Sequence, residues 1–187
     1  MQGCSEACAC SDALPSKSLY AAIDMDKVAA QNERLRGSCL EVLKKAHSDR
    51  HGPPSAHGKD AQGLLVKIPF VHKVSLNKIE IKSGFTQMEV VANNQYVTLS
   101  SKPKNSDKYT LTGTEHILPV PLPNYKYKNV DCLTVRLTGG DERSLSYLSL
   151  CGAVTGALPT AVNVSYELYP LPGETKAPKA SQSPLLH

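Results

Sequence analysis

Hydrophobic and polar positions change period once along this chain. From Asp24 to Leu35, Met25, Val28 and Ala29 recur at helical spacing towards Asn32, with Asp24 placed as an N-cap, and a short helix is predicted. Cys39 to Ala46, with Leu40, Leu43 and Lys44 near its faces, predicts a second helix beyond Gly37. His47 to Gly63 is rich in Gly, Pro, Ser and His and reads as a long loop. From Leu64 the period becomes two. Val74, Leu76, Ile79 and Ile81 are apolar across Lys73 to Lys82, and the step from Leu76 to Ile79 breaks alternation, so a bulge or bend near Asn77 is needed to restore the inward register.

Met88, Val90 and Ala92 alternate, Asn93-Asn94 supplies a turn, and Tyr96 to Leu99 resumes the strand pattern. Tyr109 to Leu111, His116 to Val120 and Tyr125 to Tyr127 are weaker strand signals, and the prolines at 119, 121 and 123 put this stretch at an edge or in a loop. Leu133, Val135 and Leu137 share one face of Cys132 to Leu137. After the Gly139-Gly140-Asp141 turn come Leu145, Tyr147 and Leu148 to Leu150, and Val162, Val164 and Tyr166 predict a last strand. Eight or more short strands at this spacing predict an all-β sandwich or jelly roll carrying a short N-terminal helical segment.

Residues 1–17 read as a flexible cysteine-containing leader and 171–187 as a flexible tail. No run approaches eighteen apolar residues, so no membrane partner is expected. Met1 to Ala13 lacks an apolar signal core, which predicts a cytoplasmic and also nuclear protein, monomeric when alone. The net charge of +4 is spread over scattered lysines, and aromatics are only 5% with no Trp; a single-strand nucleic-acid binder needs a basic face with stacking rings, so no nucleic-acid partner is expected.

Cys4, Cys8 and Cys10, with His47, His51 or His57, have the donor types for zinc, but the spacing is irregular and no Cys-x-x-Cys is present; the expectation is no metal and no cofactor. Cys132 and Cys151 alternate with core residues and read as packed thiols rather than nucleophiles, while His72 and His116 sit at predicted strand starts on the surface. Asp141 and Glu142 are adjacent acids in a glycine turn, not carboxylates facing across a cleft. No catalytic residue is assigned.

The segments Leu64-Leu65, Ile68-Pro69-Phe70, Val74-Ser75-Leu76-Asn77-Lys78-Ile79, Asn129-Val130, Leu133-Thr134-Val135 and Tyr147-Leu148-Ser149-Leu150-Cys151-Gly152 resemble, in order and spacing, the PITH-domain family. Ser18-Leu19-Tyr20, Ile23-Asp24 and Asn32-Glu33 upstream, and Val162-Asn163-Val164, Tyr166-Glu167 and Pro170 downstream, resemble its stand-alone members, so the resemblance covers 18–170. It implies a jelly-roll sandwich similar to galactose-binding-like domains and, from some members, association with the proteasome regulatory particle; it does not imply an enzyme. One departure is plain: family members carry an acidic cluster before the Leu-Leu pair, whereas Gly58-Lys59-Asp60-Ala61-Gln62-Gly63 keeps only Asp60. The expected function is a non-enzymatic protein-interaction domain, with Asp141, Glu142 and Arg143 and the tail residues Leu185, Leu186 and His187 as candidate partner contacts. A carbohydrate- or small-ligand-binding module is the alternative, and a hydrolase with an unrecognised site the second. Asn129 and Tyr147 are read as structural residues.

Overall fold

Alternating apolar residues commit most of this chain to strands. The computed structural model describes residues 17–49, 52–112 and 116–157. In them lie β1 (Lys17–Ser18), β2 (Ala29–Gln31), α1 (Ser38–Lys44), β3 (Ala56–His57), β4 (Leu64–Ser83), β5 (Gln87–Ala92), β6 (Asp107–Thr110), β7 (Leu118–Pro121), β8 (Val130–Thr138) and β9 (Ser144–Ala157).

β4 organises the rest, because its 20 residues serve two sheets. Its first part, Leu64 to Pro69, pairs with β8 on one side, and Leu65 to Lys67 also pair with β2 on the other. Its second part, from His72 to Ser83, pairs with β9, and Lys78 to Ile81 pair with β7. The strand changes sheet around Val71 and His72, both exposed. β5 and β6 extend the first sheet beyond β8, while β1 and β3 flank β9 in the second. All pairs are antiparallel, and the two layers enclose one core, as in a jelly-roll sandwich. Leu64, Val66, Ile68, Val74, Leu76, Met88, Leu133 and Leu137 are fully buried in it. Each such side chain contributes about 1.5–3 kcal/mol by leaving water.

The bulge expected at Asn77 is present. Apart from Leu65, which is covered on the outer face, buried positions on β4 are even-numbered through Leu76 and odd-numbered from Ile79, while Leu76 faces Gly152 and Lys78 faces Cys151. Asn77 is therefore the extra residue, and its carbonyl accepts the Leu122 N–H at 2.8 Å. Gly152 is needed opposite, since a Cβ there would lie 2.0 Å from the Ser75 carbonyl oxygen. The glycine turn also forms, with φ of 73° at Gly139 and 84° at Gly140.

Four local expectations are corrected. The helix predicted over Asp24–Leu35 is a single 3-10 turn, Met25–Lys27, followed by β2. Pairing with β4 outweighs the weak helical spacing there, and Asn32, at φ 67°, turns the chain away. Its side-chain amide donates to Asp60 Oδ1 at 2.7 Å and the Gly63 carbonyl at 2.5 Å, tying that turn to the one before β4. Within the long loop predicted over 47–63 there is a 3-10 turn at His47–Asp49 and the short β3. Tyr96–Leu99 forms no strand; β5 already has β6 and β8 as neighbours, and the 94–101 segment instead covers the outer face of the first sheet. Val97 and the partly buried Leu99 pack on Leu65 and Val91 there, and outward side chains hold the segment by its carbonyls: Lys67 on Gln95, Thr134 on Asn94, and Arg136 on Leu99 and Ser101. Tyr125–Tyr127 is a turn whose Tyr127 is fully buried and donates its hydroxyl to Asp107 at 2.7 Å. The second predicted helix is α1, starting one residue earlier and ending two earlier. The last predicted strand, at Val162, Val164 and Tyr166, lies outside the described residues.

A cleft over the second sheet

Antiparallel register fixes which side chains share a face. Ile79 faces Leu150 and Ile81 faces Leu148, all inward. The alternate pairs, Lys78 opposite Cys151, Glu80 opposite Ser149 and Lys82 opposite Tyr147, therefore share the outer face. Part of that face is roofed by the N-terminal segment and by α1. A cleft of about 520 Å³ remains between them. Lys78, Glu80, Ser149 and Cys151 supply its polar floor, with Tyr147 buried beside them; Ile23, Leu43 and Ala46 supply apolar wall, and Tyr20, 48% exposed, stands at the mouth.

The α1 wall is positioned by Glu33. Gly37, in the left-handed conformation at the helix N-terminus, brings the chain round so that Glu33 Oε1 accepts the Gly37 N–H at 2.9 Å. Its Oε2 accepts the Cys39 N–H at 3.0 Å and the Ser38 hydroxyl at 3.1 Å. Burial opposes ionisation of this carboxyl, but the N–H groups of Cys39 and Gly37 and the Ser38 hydroxyl outweigh it and hold Glu33 below the usual carboxylate range. Beyond the helix, Lys45 Nζ donates to the Pro53 carbonyl at 2.8 Å and the Ser146 carbonyl at 2.9 Å, pinning the wall to β9. Burial depresses the Lys45 pKa, and the nearby Lys82 charge adds to it.

On the floor, Lys78 Nζ lies 2.7 Å from Glu80 Oε1, and the hydrogen bond to Glu80 raises the Lys78 pKa. Lys44 is paired with Glu41 at 3.2 Å. Every lysine of the lining thus already has a partner. Burial pushes the Cys151 thiol up, and Cys39 and Cys132 likewise, so all three described cysteines are packed thiols, as the alternation of Cys132 and Cys151 implied.

The sequence-derived contact residues lie elsewhere. Asp141 and Glu142 are exposed after the glycine turn, and with Arg143 they line a second, more open groove of about 440 Å³ shared with Arg34 and His57. Leu185, Leu186 and His187 lie outside the described residues, as do Cys4, Cys8, Cys10 and His51. Among the described residues no three His, Cys, Asp or Glu side chains gather as metal ligands would. His72 and His116 are exposed, but His72 lies inside β4 and His116 ahead of β7. Asn129, at φ 55°, turns the chain into β8 and accepts the Thr155 hydroxyl at 3.1 Å on Oδ1; Tyr147 is buried. Both fit the structural parts assigned to them. Asp60 is also structural: the Gln62 N–H and the Asn32 amide hold its carboxyl below the usual range.

Tyr20, Lys78, Glu80 and Ser149 were not singled out by the sequence. Alternation about Ile79 marks Lys78 and Glu80 as outward, but only the pairing with β9 sets them beside Ser149 and under Tyr20.

No curated protein matches this chain in sequence. Among solved structures, the chain is similar to the family 32 CBM of C. perfringens NanJ in complex with galactose, with a TM-score of 0.54 and 12% identity over 73% of this chain and 98% of that one. It is also similar to the CBM32-1 and CBM32-2 domains of Clostridium perfringens ZmpB in complex with GalNAc, with a TM-score of 0.50 and 12% identity over 74% of this chain and 36% of that one. At that identity the likeness shows the sandwich fold alone. Family membership rests on sequence, for residues 10–170 match the PITH domain, and the chain belongs to the PITH domain family.

Proposed function

We propose that this chain is a non-enzymatic binding module that takes a small ligand, of the size of a sugar, in the cleft over β4 and β9. The observation that carries the reading is the cleft itself: about 520 Å³, apolar on its walls and polar on its floor. Ligand sites have that size and that mixture, with a few placed polar groups among apolar ones. The fold neighbours from C. perfringens were solved with galactose and GalNAc, which supports a ligand of this class. Thiols pushed up by burial and solvated acids at Asp141 and Glu142 favour binding over turnover. The test is a titration of ¹⁵N-labelled protein with a panel of sugars, short aliphatic carboxylates and phosphate. Saturable shifts confined to Tyr20, residues 43–46 and residues 147–151, and abolished by Ser149→Trp in a protein of unchanged fold, support the reading. Shifts elsewhere, or none, overturn it.

The exposed Asp141-Glu142-Arg143 turn beside the second groove favours a second reading, a protein contact. The family resemblance points to the proteasome regulatory particle or a related assembly in the cytoplasm or nucleus. Recovery of regulatory subunits in a crosslinked pull-down, lost on reversing the charges at 141–143 or on removing 171–187, would support it. Recovery indifferent to both changes would remove these contacts.

A further inference from the structure

Which chemistry the cleft prefers follows from how its polar groups are already committed. An anionic ligand needs a cation to spare. Lys44 is held by Glu41, Lys78 by Glu80, and Lys45 by two backbone carbonyls and partly desolvated. A phosphate or carboxylate would have to break one of these contacts and would meet the Glu80 carboxylate. A wholly apolar ligand fares no better, since it would strip water from the Lys78–Glu80 pair and the Ser149 hydroxyl without offering them hydrogen bonds in return.

A neutral polyol with one apolar face meets neither objection. The Lys78–Glu80 pair places a donor and an acceptor 2.7 Å apart, a spacing close to that of two adjacent hydroxyl oxygens on a sugar ring. One hydroxyl accepts from Lys78 Nζ while its neighbour donates to Glu80, and the pair itself stays intact. Both are charge-assisted bonds. Ser149, directly across from Glu80, adds a third polar group on the same floor. The C–H face of a pyranose is apolar and suits an aromatic ring, and Tyr20 lines the mouth with about half its surface free.

We infer that the cleft binds a neutral saccharide terminus, with two adjacent ring hydroxyls bridging Lys78 and Glu80 and the apolar sugar face against Tyr20. The inference rests on the cleft reading above and narrows it to one ligand class. It makes the site a recogniser of hydroxyl arrangement, since only neighbouring hydroxyls held gauche, and not a trans-diaxial pair, reach both ends of the ion pair.

The test uses the full chain and neutral mono- and disaccharides, their singly deoxygenated analogues, octanoate and inorganic phosphate, each titrated by NMR with per-residue shifts recorded. At least one neutral saccharide is expected to saturate shifts at Tyr20, Lys78, Glu80 and Ser149. Glu80→Gln and Tyr20→Ala should each weaken it about tenfold, the loss expected for one charge-assisted bond or one stacked ring, while Tyr20→Phe stays within about twofold because the ring remains. Removing either bridging hydroxyl from the sugar should match Glu80→Gln. Melting temperature and spectral dispersion check that the variants are folded. Octanoate or phosphate saturating the same resonances while no saccharide does would overturn the saccharide and leave the cleft reading standing. No ligand shifting these residues would overturn both. Saccharide binding indifferent to Glu80→Gln and Tyr20→Ala would overturn the assigned geometry.

Discussion

Replacing Glu33 by glutamine keeps the length of the side chain but turns one carboxylate oxygen into an NH₂. In the native protein Oε1 accepts from the Gly37 N–H, and Oε2 accepts from the Cys39 N–H and the Ser38 hydroxyl. Glutamine offers one acceptor oxygen, so it either abandons Gly37 or sets its amide against the Cys39 N–H. Bonds to charged groups are worth about 1.5–3 kcal/mol each when well buried. Glu33 is only half-buried, and solvent screening lowers that figure. A net loss of about 1–2 kcal/mol is expected, in the range found for helix N-caps. For a domain of this size it corresponds to about 2–8 °C in Tm. The pH dependence separates this from a general packing defect. Because the folded-state carboxyl sits below its unfolded value near 4.5, its stabilisation is fully present above that pH and is lost as pH falls through the folded pKa. Urea unfolding at pH 7 and at steps down to about pH 3.5 should show wild type ahead of Glu33→Gln at neutrality and the gap narrowing on acidification. Equal midpoints at pH 7, or a gap unchanged in acid, would refute the capping role.

Three other outcomes are expected. Arg136→Met leaves Glu89, only 8% exposed, without its ion-pair partner and frees the 94–101 cover; stability to denaturant should fall by about 3–5 kcal/mol, with hydrogen exchange over 94–101 accelerated, and a loss below about 1 kcal/mol would contradict the assignment. Deleting Asn77 removes the extra residue and leaves Ile79 and Ile81 in the inward alternation of Val74 and Leu76, so unfolding should stay cooperative with a loss of about 1 kcal/mol for the Leu122 N–H bond; loss of cooperative unfolding and of the near-UV circular dichroism would refute the register argument. Cys39, Cys132 and Cys151, all raised by burial, should react with a thiol reagent many-fold more slowly in the native protein than in urea, as mapped by mass spectrometry, and equal rates at Cys151 would show the cleft floor to be open.

The strands of the core were legible because burial on one face leaves a period of two, and even the bulge showed itself, as a single missed alternation between Leu76 and Ile79. Short elements were not. Ala29–Gln31 carries no strand signal of its own and is extended because β4 offers it a partner. Tyr96–Leu99 has the composition of a strand, yet β5 has no free edge for it, and its apolar residues are used as a lid on Leu65 and Val91 instead. The cleft was hidden for a related reason. Its residues come from 18–23, 43–46, 78–80 and 147–151, and what makes them a site is cross-strand register and the seat of α1, neither of which local spacing encodes. The exposed acids at 141 and 142 could be placed on the surface from the glycine turn alone, but placement on a surface says little about what touches it.

That β4 belongs to both sheets also shapes how the chain is made. Its first half finds β8, and its second half finds β7 and β9, all of them later in the sequence. A ribosome releases Ser83 about sixty residues before it reaches Ser144, an interval of roughly 3–12 s. For that time twenty residues of strand former travel with their main partners unmade. Lysines at 67, 73, 78 and 82 punctuate the segment and discourage it from pairing with other chains while it waits.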